Sequence, residues 1–126
     1  MERCRKPRLQ RSELFKLKLG GRPHETFAVA FLTTKHALIA FEELFHGTID
    51  GSEVHPRVVV KRALDLNAAA IILGHNHPSG DPEPSAADRA VTARIKQACA
   101  LVDVRVLDHF IVGSDAPVSM AAKGMV

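Results

Sequence analysis

The chain contains no Trp and no Tyr, six Phe, and two Cys among its 126 residues. Without Trp or Tyr, stacking on exposed nucleobases falls to Phe or His, and no Phe-bearing nucleic-acid motif is present. Cys4 and Cys99 stand far apart in the chain, which matches neither a metal-knuckle nor a redox spacing. That usage fits a reduced, cytoplasmic compartment. No apolar run approaches the ~20 residues that span a bilayer, and no secretory apolar stretch follows the basic start. Transmembrane, secreted and fully disordered classes drop out. What is present, 46% hydrophobic and 25% charged residues, is the balance of one soluble globular domain. A chain of this length buries a sizeable core without disulfide staples.

The net charge of +3 is unevenly spread. Residues 1–22 hold eight Lys/Arg against two Glu, whereas residues 23–126 hold nine Lys/Arg against twelve Asp/Glu. The basicity therefore belongs to residues 1–22, read as a leader with a solvated, disordered reading open, and the domain proper to 23–126. A basic segment of this kind can contact nucleic acid or an acidic partner.

Thr26 to Leu32 reads as a strand buried on both faces, joined by a Thr33–His36 turn to a second strand over Ala37–Phe45. His46 to His55 reads as a loop. Pro56 suits a first helical turn, and Val59, Val60, Ala63, Leu64 and Ala68 keep helical spacing. The adjacent valines leave a strand start open there. Ala69 to Gly74 is a short apolar run of central-strand type, and the Pro-rich stretch His75–Pro84 is predicted irregular. A helix follows over about Ser85–Leu101. Val104–Leu107 and Phe110–Gly113 read as two strands or one bent one. Strands mixed with two helices make the fold class α/β (α+β), a single domain with at least one central strand.

The chemistry concentrates in His75-Asn76-His77-Pro78 and the residues that follow. In extended chain, residues i and i+2 project to one side, so His75 and His77 present their imidazoles to one point. They lie just past an apolar strand, where α/β sheets place their sites. Asp88 arrives in the first turn of the next helix. Two His and one Asp leave a fourth position for water, the ligand count of a catalytic zinc site. Ser85 and Asp88 also fit a capping box, which competes for the same Asp88 oxygens. Asp81 and Glu83 read as solvated loop carboxylates.

Water activation needs a base nearby. Glu42 and Glu43 interrupt an apolar strand, and alternation sends them to opposite faces. Glu53 is a third candidate, and residue chemistry alone does not choose among the three. Asp108 and His109 read as an ordinary His–Asp pair at a strand edge. His24, His36 and His46 read as loop or turn residues, and Cys99 as a buried small hydrophobe.

His75-x-His77-Pro78-x₆-Ser85-x₂-Asp88 resembles the JAMM motif of MPN-domain metalloproteases. Phe41 to Ile49, Val54-His55-Pro56-Arg57, Asn67 to Gly80 and Val104 to His109 resemble the RadC-like branch of that family. The resemblance covers roughly residues 24–126. It implies an MPN-type mixed sheet flanked by helices and a zinc ion on His75, His77 and Asp88. Ser85 matches the hydroxyl that steadies the tetrahedral intermediate, and Glu42 matches the upstream glutamate that activates water. Asn76 stands where deubiquitinating members have Ser or Thr, which argues against ubiquitin-type substrates. The full-length form of the family carries an N-terminal helix-hairpin-helix region, so this chain is expected to represent a short form.

The resemblance implies a zinc-dependent peptidase or isopeptidase acting on a protein or peptide. The alternative is a non-catalytic scaffold in a repair or recombination assembly, with residues 1–22 contacting nucleic acid or a partner.

Overall fold

Strand β1 (Thr26–Leu32) is apolar at nearly every position, and every position is buried. A strand without a polar face belongs in the middle of a sheet covered on both sides. In the computed structural model, which describes residues 10–47 and 53–126, β1 lies between β2 (Leu38–His46) and β3 (Ala70–Asn76). The five-stranded sheet runs β2-β1-β3-β4-β5, with β4 spanning Arg105–Val112 and β5 Val118–Ser119. β3 and β4 are parallel; every other neighbouring pair is antiparallel. The fold is a small α+β domain, a mixed sheet with three helices, of which the sequence pattern implies the class and two of the helices.

Alternation along β1 and β3 sends side chains into two cores. Phe27, Val29, Phe31, Ile71 and Leu73 face helices α2 (Pro56–Asp65) and α3 (Ala86–Ala100), which contribute Val59, Ala63, Val91, Ile95 and Cys99. Ala28, Ala30, Ala70 and Ile72 face the other way, onto Phe15 and Leu19. Those two residues belong to helix α1 (Arg11–Leu19).

Helix α1 corrects the leader boundary at residue 22. Phe15 and Leu19, one helical turn apart, are fully buried, while basic residues fill the positions around them. Two apolar anchors among so many charges give a weak periodic signal, and tertiary packing supplies the rest. The charges are put to use: Lys16 Nζ donates to the carbonyls of Gly113, Ser114 and Asp115, and Arg22 binds Glu43 with two hydrogen bonds. Residues 1–9 of the proposed leader lie outside the described residues. Gly74 is the seat of the helix, because a Cβ there would meet the Phe15 ring at 2.1 Å.

Other boundaries shift for identifiable reasons. β3 continues through His75 and Asn76, which sequence placed in the irregular stretch, because β4 backs them rung for rung at Ile111 and Val112. α2 stops at Asp65 instead of running to Ala68, and Asn67 turns the chain with φ 53°. The two candidate strands at the end are one, β4, with an irregularity opposite Ile71/Ile72.

Candidate metal centre

β3 and β4 run side by side and end together, and the centre forms at the end of β3. His75 and His77 project to the same face as Ile71 and Leu73, the face covered by α3. α3 begins there, and its first turn carries Asp88. His75 and Asp88 are 1% and 4% exposed; His77, at the rim, is 17% exposed. The His75 ring stacks on Phe27 with centroids 6.0 Å apart.

Three donor sets meet. His75 Nε2 lies 2.9 Å from His77 Nε2 and 3.0 Å from Asp88 Oδ1, and His77 Nε2 lies 3.2 Å from Asp88 Oδ2. A tetrahedral ion with bonds of 2.0–2.1 Å sets its ligand atoms about 3.3 Å apart. The triangle is close to that size.

Hydrogen bonds at the outer ring nitrogens explain why this triangle calls for a cation. His77 Nδ1 sits 2.8 Å from the Asp81 carbonyl; a carbonyl only accepts, so Nδ1 carries the hydrogen. A neutral His77 then aims the lone pair of Nε2 at His75 and Asp88. His75 Nδ1 is engaged 2.7 Å away by His109 Nε2, which leaves His75 Nε2 facing the same point. Two imidazole nitrogens and a carboxylate turned on one spot repel unless positive charge lies between them. A metal ion or a proton answers that demand.

Without a metal, the proton answers it. The hydrogen bond to Asp88 raises the His77 pKa against the opposing effect of burial, and the Asp81 carbonyl and the charges of Asp88 and Glu25 add to the rise. Burial pushes the Asp88 carboxyl up, but the hydrogen bonds from His75 and His77, the His75 charge and the Ser85 N–H outweigh it. Asp88 is thereby held well below the usual carboxylate range.

The capping box and a place for Asp88 in the His-His-Asp cluster, competitors in the sequence, are compatible in the structure. Ser85 Oγ accepts from the Asp88 N–H at 3.0 Å, and the Ser85 N–H donates to Asp88 Oδ2 at 2.8 Å. The cap fixes the carboxylate rotamer without exhausting its lone pairs. Ser85 thus sits beside the ligands.

Glu42 is held in an ion pair. Alternation does send Glu42 and Glu43 to opposite faces, but Arg62 of α2 grips Glu42 through Nε and Nη2 at 2.6 and 2.8 Å. The Arg62 hydrogen bond holds its carboxyl below the usual range, against the pull of burial. Glu43 is paired with Arg22 on the far side, and Glu53 is exposed in the segment leading to α2.

The carboxylate that sequence reasoning passed over is Glu25. It immediately precedes β1, whose Phe27 pairs with His75 in register, and its charge acts on His77. With Pro78 and Ser79 it lines a cleft of about 370 Å³. Asn76 holds this segment in place: its Oδ1 accepts from the Thr26 N–H at 2.7 Å, and its Nδ2 donates to the His24 carbonyl at 3.0 Å. Only strand register brings Glu25 close, and register is invisible in a local pattern.

Asp108 and His109 are not a ring–carboxylate pair. Asp108 accepts from the His109 backbone N–H, from Ser119 Oγ and from the Ala121 N–H, fastening β5. The His109 ring instead faces the centre. Burial, and next the charge of His75, lower its pKa well below the imidazole value. His36 is a turn residue with φ 63°, whereas His46 closes β2. Burial pushes the Cys99 thiol up to about 11, in keeping with an inert core residue. Among the described residues, no helix is long and apolar enough to cross a membrane.

Comparison with known proteins agrees with the geometry. The RadC-like JAB domain family matches residues 7–125, so the match includes α1. A protein of Xylella fastidiosa (strain 9a5c) named "UPF0758 protein" is 62% identical over 110 residues, 87% of this chain and 49% of its own length. Another of the same name, from Xanthomonas campestris pv. campestris (strain 8004), is 61% identical over 112 residues, covering 89% and 50%. The chain therefore spans about half the length of these curated relatives. With the family matched along nearly the whole chain and a His-His-Asp cluster able to hold a metal at the end of β3, the chain belongs to the RadC-like JAB domain family.

Proposed function

We propose that the domain is a zinc-dependent hydrolase of peptide or isopeptide bonds, with the ion on His75 Nε2, His77 Nε2 and the Asp88 carboxylate. The observation that carries this reading is the meeting of two imidazole lone pairs and a buried carboxylate on one point, each aimed by a hydrogen bond at its far side. A structural zinc takes four protein ligands; three protein ligands are the catalytic pattern. Bound zinc would supply Lewis acidity toward a carbonyl and make water more acidic.

Glu25 would take the proton of the attacking water on its carboxylate and pass it to the departing amine. Its support is its station near His77 at the mouth of the centre, where it lines a cleft with Pro78 and Ser79. Ser85 keeps its own hydroxyl hydrogen after accepting from Asp88 and would donate it to the developing oxyanion. One such donor is worth about 3 kcal/mol. A second cleft, of about 640 Å³, runs past His77, Asn76 and Gly80 toward Lys16 and Arg22, and offers a polypeptide room to lie across the ligands.

Metal analysis of protein purified without chelator should find about one zinc per chain, lost in His75→Ala. Hydrolysis of a quenched peptide and isopeptide library should vanish in Glu25→Gln with zinc retained, and survive in Glu42→Gln. Protein that takes up no zinc at any loading sinks the hydrolase reading. The reverse ranking of the two Gln variants moves the base to Glu42.

A further inference from the structure

Behind His75 lies a run of buried polar groups that the ligand motif does not include. Thr92 Oγ1 is 2.7 Å from the Asp88 carbonyl, one turn back on α3, and 2.6 Å from His109 Nδ1. His109 Nε2 is 2.7 Å from His75 Nδ1. Thr92 is 1% exposed and His109 fully buried.

The direction of each link follows from what each atom is able to do. The Asp88 carbonyl only accepts, whereas His109 Nδ1 accepts or donates according to tautomer, so the ligand end decides: His75 offers Nε2 to an ion only with its hydrogen on Nδ1. His109 Nε2 then accepts from His75, and Thr92 sends its hydrogen to the Asp88 carbonyl, with Met120 Sδ at 3.8 Å only a weak alternative. Thr92 Oγ1 must then accept from His109, which puts the His109 hydrogen on Nδ1. A neutral His109 offers Nε2 as an acceptor, and His75 must donate from Nδ1. Phe27, whose ring stands edge-on at 5.5 Å, and buried Met120 enclose the His109 ring.

We propose that His109 and Thr92 are positioning residues that lock His75 in its Nδ1–H tautomer, so that the Nε2 lone pair always faces the ligand triangle. The proposal rests on the reading of His75, His77 and Asp88 as a metal centre. It adds that the relay starts on the carbonyl of one ligand residue and ends on the ring of another. Strand β3 and helix α3 are thus tied behind the centre as well as at it. Outer partners of this kind typically account for 10–100-fold in metal affinity.

Long-range ¹⁵N–¹H spectra of the full chain, metal-free and at about pH 8, above the ordinary imidazole pKa, read the tautomers directly. Signals are assigned by their loss in single-histidine variants. His75 and His109 should both carry hydrogen on Nδ1, against the Nε2–H form that free imidazole side chains favour. His109→Phe should release His75 to the Nε2–H form and weaken zinc binding roughly 10–100-fold in chelator competition. His109→Gln, which places an amide oxygen near the lost Nε2, should restore most of that affinity. If His109→Phe does not fold, Thr92→Val against Thr92→Ser makes the same comparison.

His75 protonated on Nε2 in the parent protein would overturn the relay, as would a folded His109→Phe with unchanged tautomer and affinity. Protein that binds no zinc refutes the metal centre, yet the metal-free spectra still decide the relay, so the two failures are distinguishable.

Discussion

Replacing Phe15 by Ala tests whether the domain begins at helix α1, well inside the basic segment. The ring is fully buried and meets Phe41 edge-on at 5.1 Å and Phe110 at 5.6 Å. Losing such a side chain costs about 3–5 kcal/mol, against a total domain stability of ~5–15 kcal/mol. A urea midpoint should therefore move by about 2 M. Gly74→Ala adds the control, since its new methyl would sit 2.1 Å from the Phe15 ring in the parent. Alone it should cost ~1–3 kcal/mol through overpacking. In the Phe15→Ala background the methyl enters vacated space, so most of that cost should disappear and the two changes couple strongly. Urea denaturation of the four proteins measures the cycle. A Phe15→Ala cost under about 1 kcal/mol, the range of ordinary surface changes, or strict additivity of the pair, refutes the packing of α1 on Gly74.

The pH response of the metal-free protein has two limbs. The lowered Asp88 pKa contributes stability above the unfolded carboxyl range that is lost as pH falls through its folded value. The raised His77 pKa contributes stability that is complete below about 6.5 and is lost as pH rises through its folded value. The urea midpoint should thus decline above neutrality, and His77→Gln should flatten that decline; a decline of equal slope in His77→Gln refutes the assignment. Zinc-loaded protein should behave oppositely across the same range, because ligation requires unprotonated His77. Asn76→Ala leaves the buried Thr26 N–H without its side-chain acceptor, a cost of about 1–3 kcal/mol. If Asn76 stations Glu25, turnover should fall further than that stability loss explains when both are measured on folded protein at low temperature.

The central strands, two of the three helices and the His75, His77, Asp88 cluster were legible because local signals agreed. β1 and β3 are continuous apolar runs, the i, i+2 histidines follow strand geometry, and the Ser85 cap marks the start of α3. Helix α1 was hidden by basic residues whose partners are carbonyls and carboxylates distant in sequence. Glu25 was not weighed beside Glu42, Glu43 and Glu53, because strand register, which no local pattern records, is what sets it near His77. Thr92 was within reach, since it stands one helical turn after Asp88 on the same face. His109 was noticed with another partner: its neighbour Asp108 takes the backbone N–H, while the ring meets His75, 34 residues earlier in the chain.

The burial of Asp88, Thr92, His109 and His75 has an evolutionary reading. These groups occupy space inside the packing between β3, β4 and α3, where a vacancy is as costly as an unpaired hydrogen bond. A descendant chain that abandoned the chemistry would not drift at one of these positions alone, since each single loss strands the polar atoms of its neighbour. Drift should come as a block, with all four exchanged for matched apolar residues. Rim residues such as His77 and Glu25, which answer to solvent, are free to change first. On the proposed hydrolase reading, loss of the rim alone would mark a recent change of reaction, and an apolar quartet an older one.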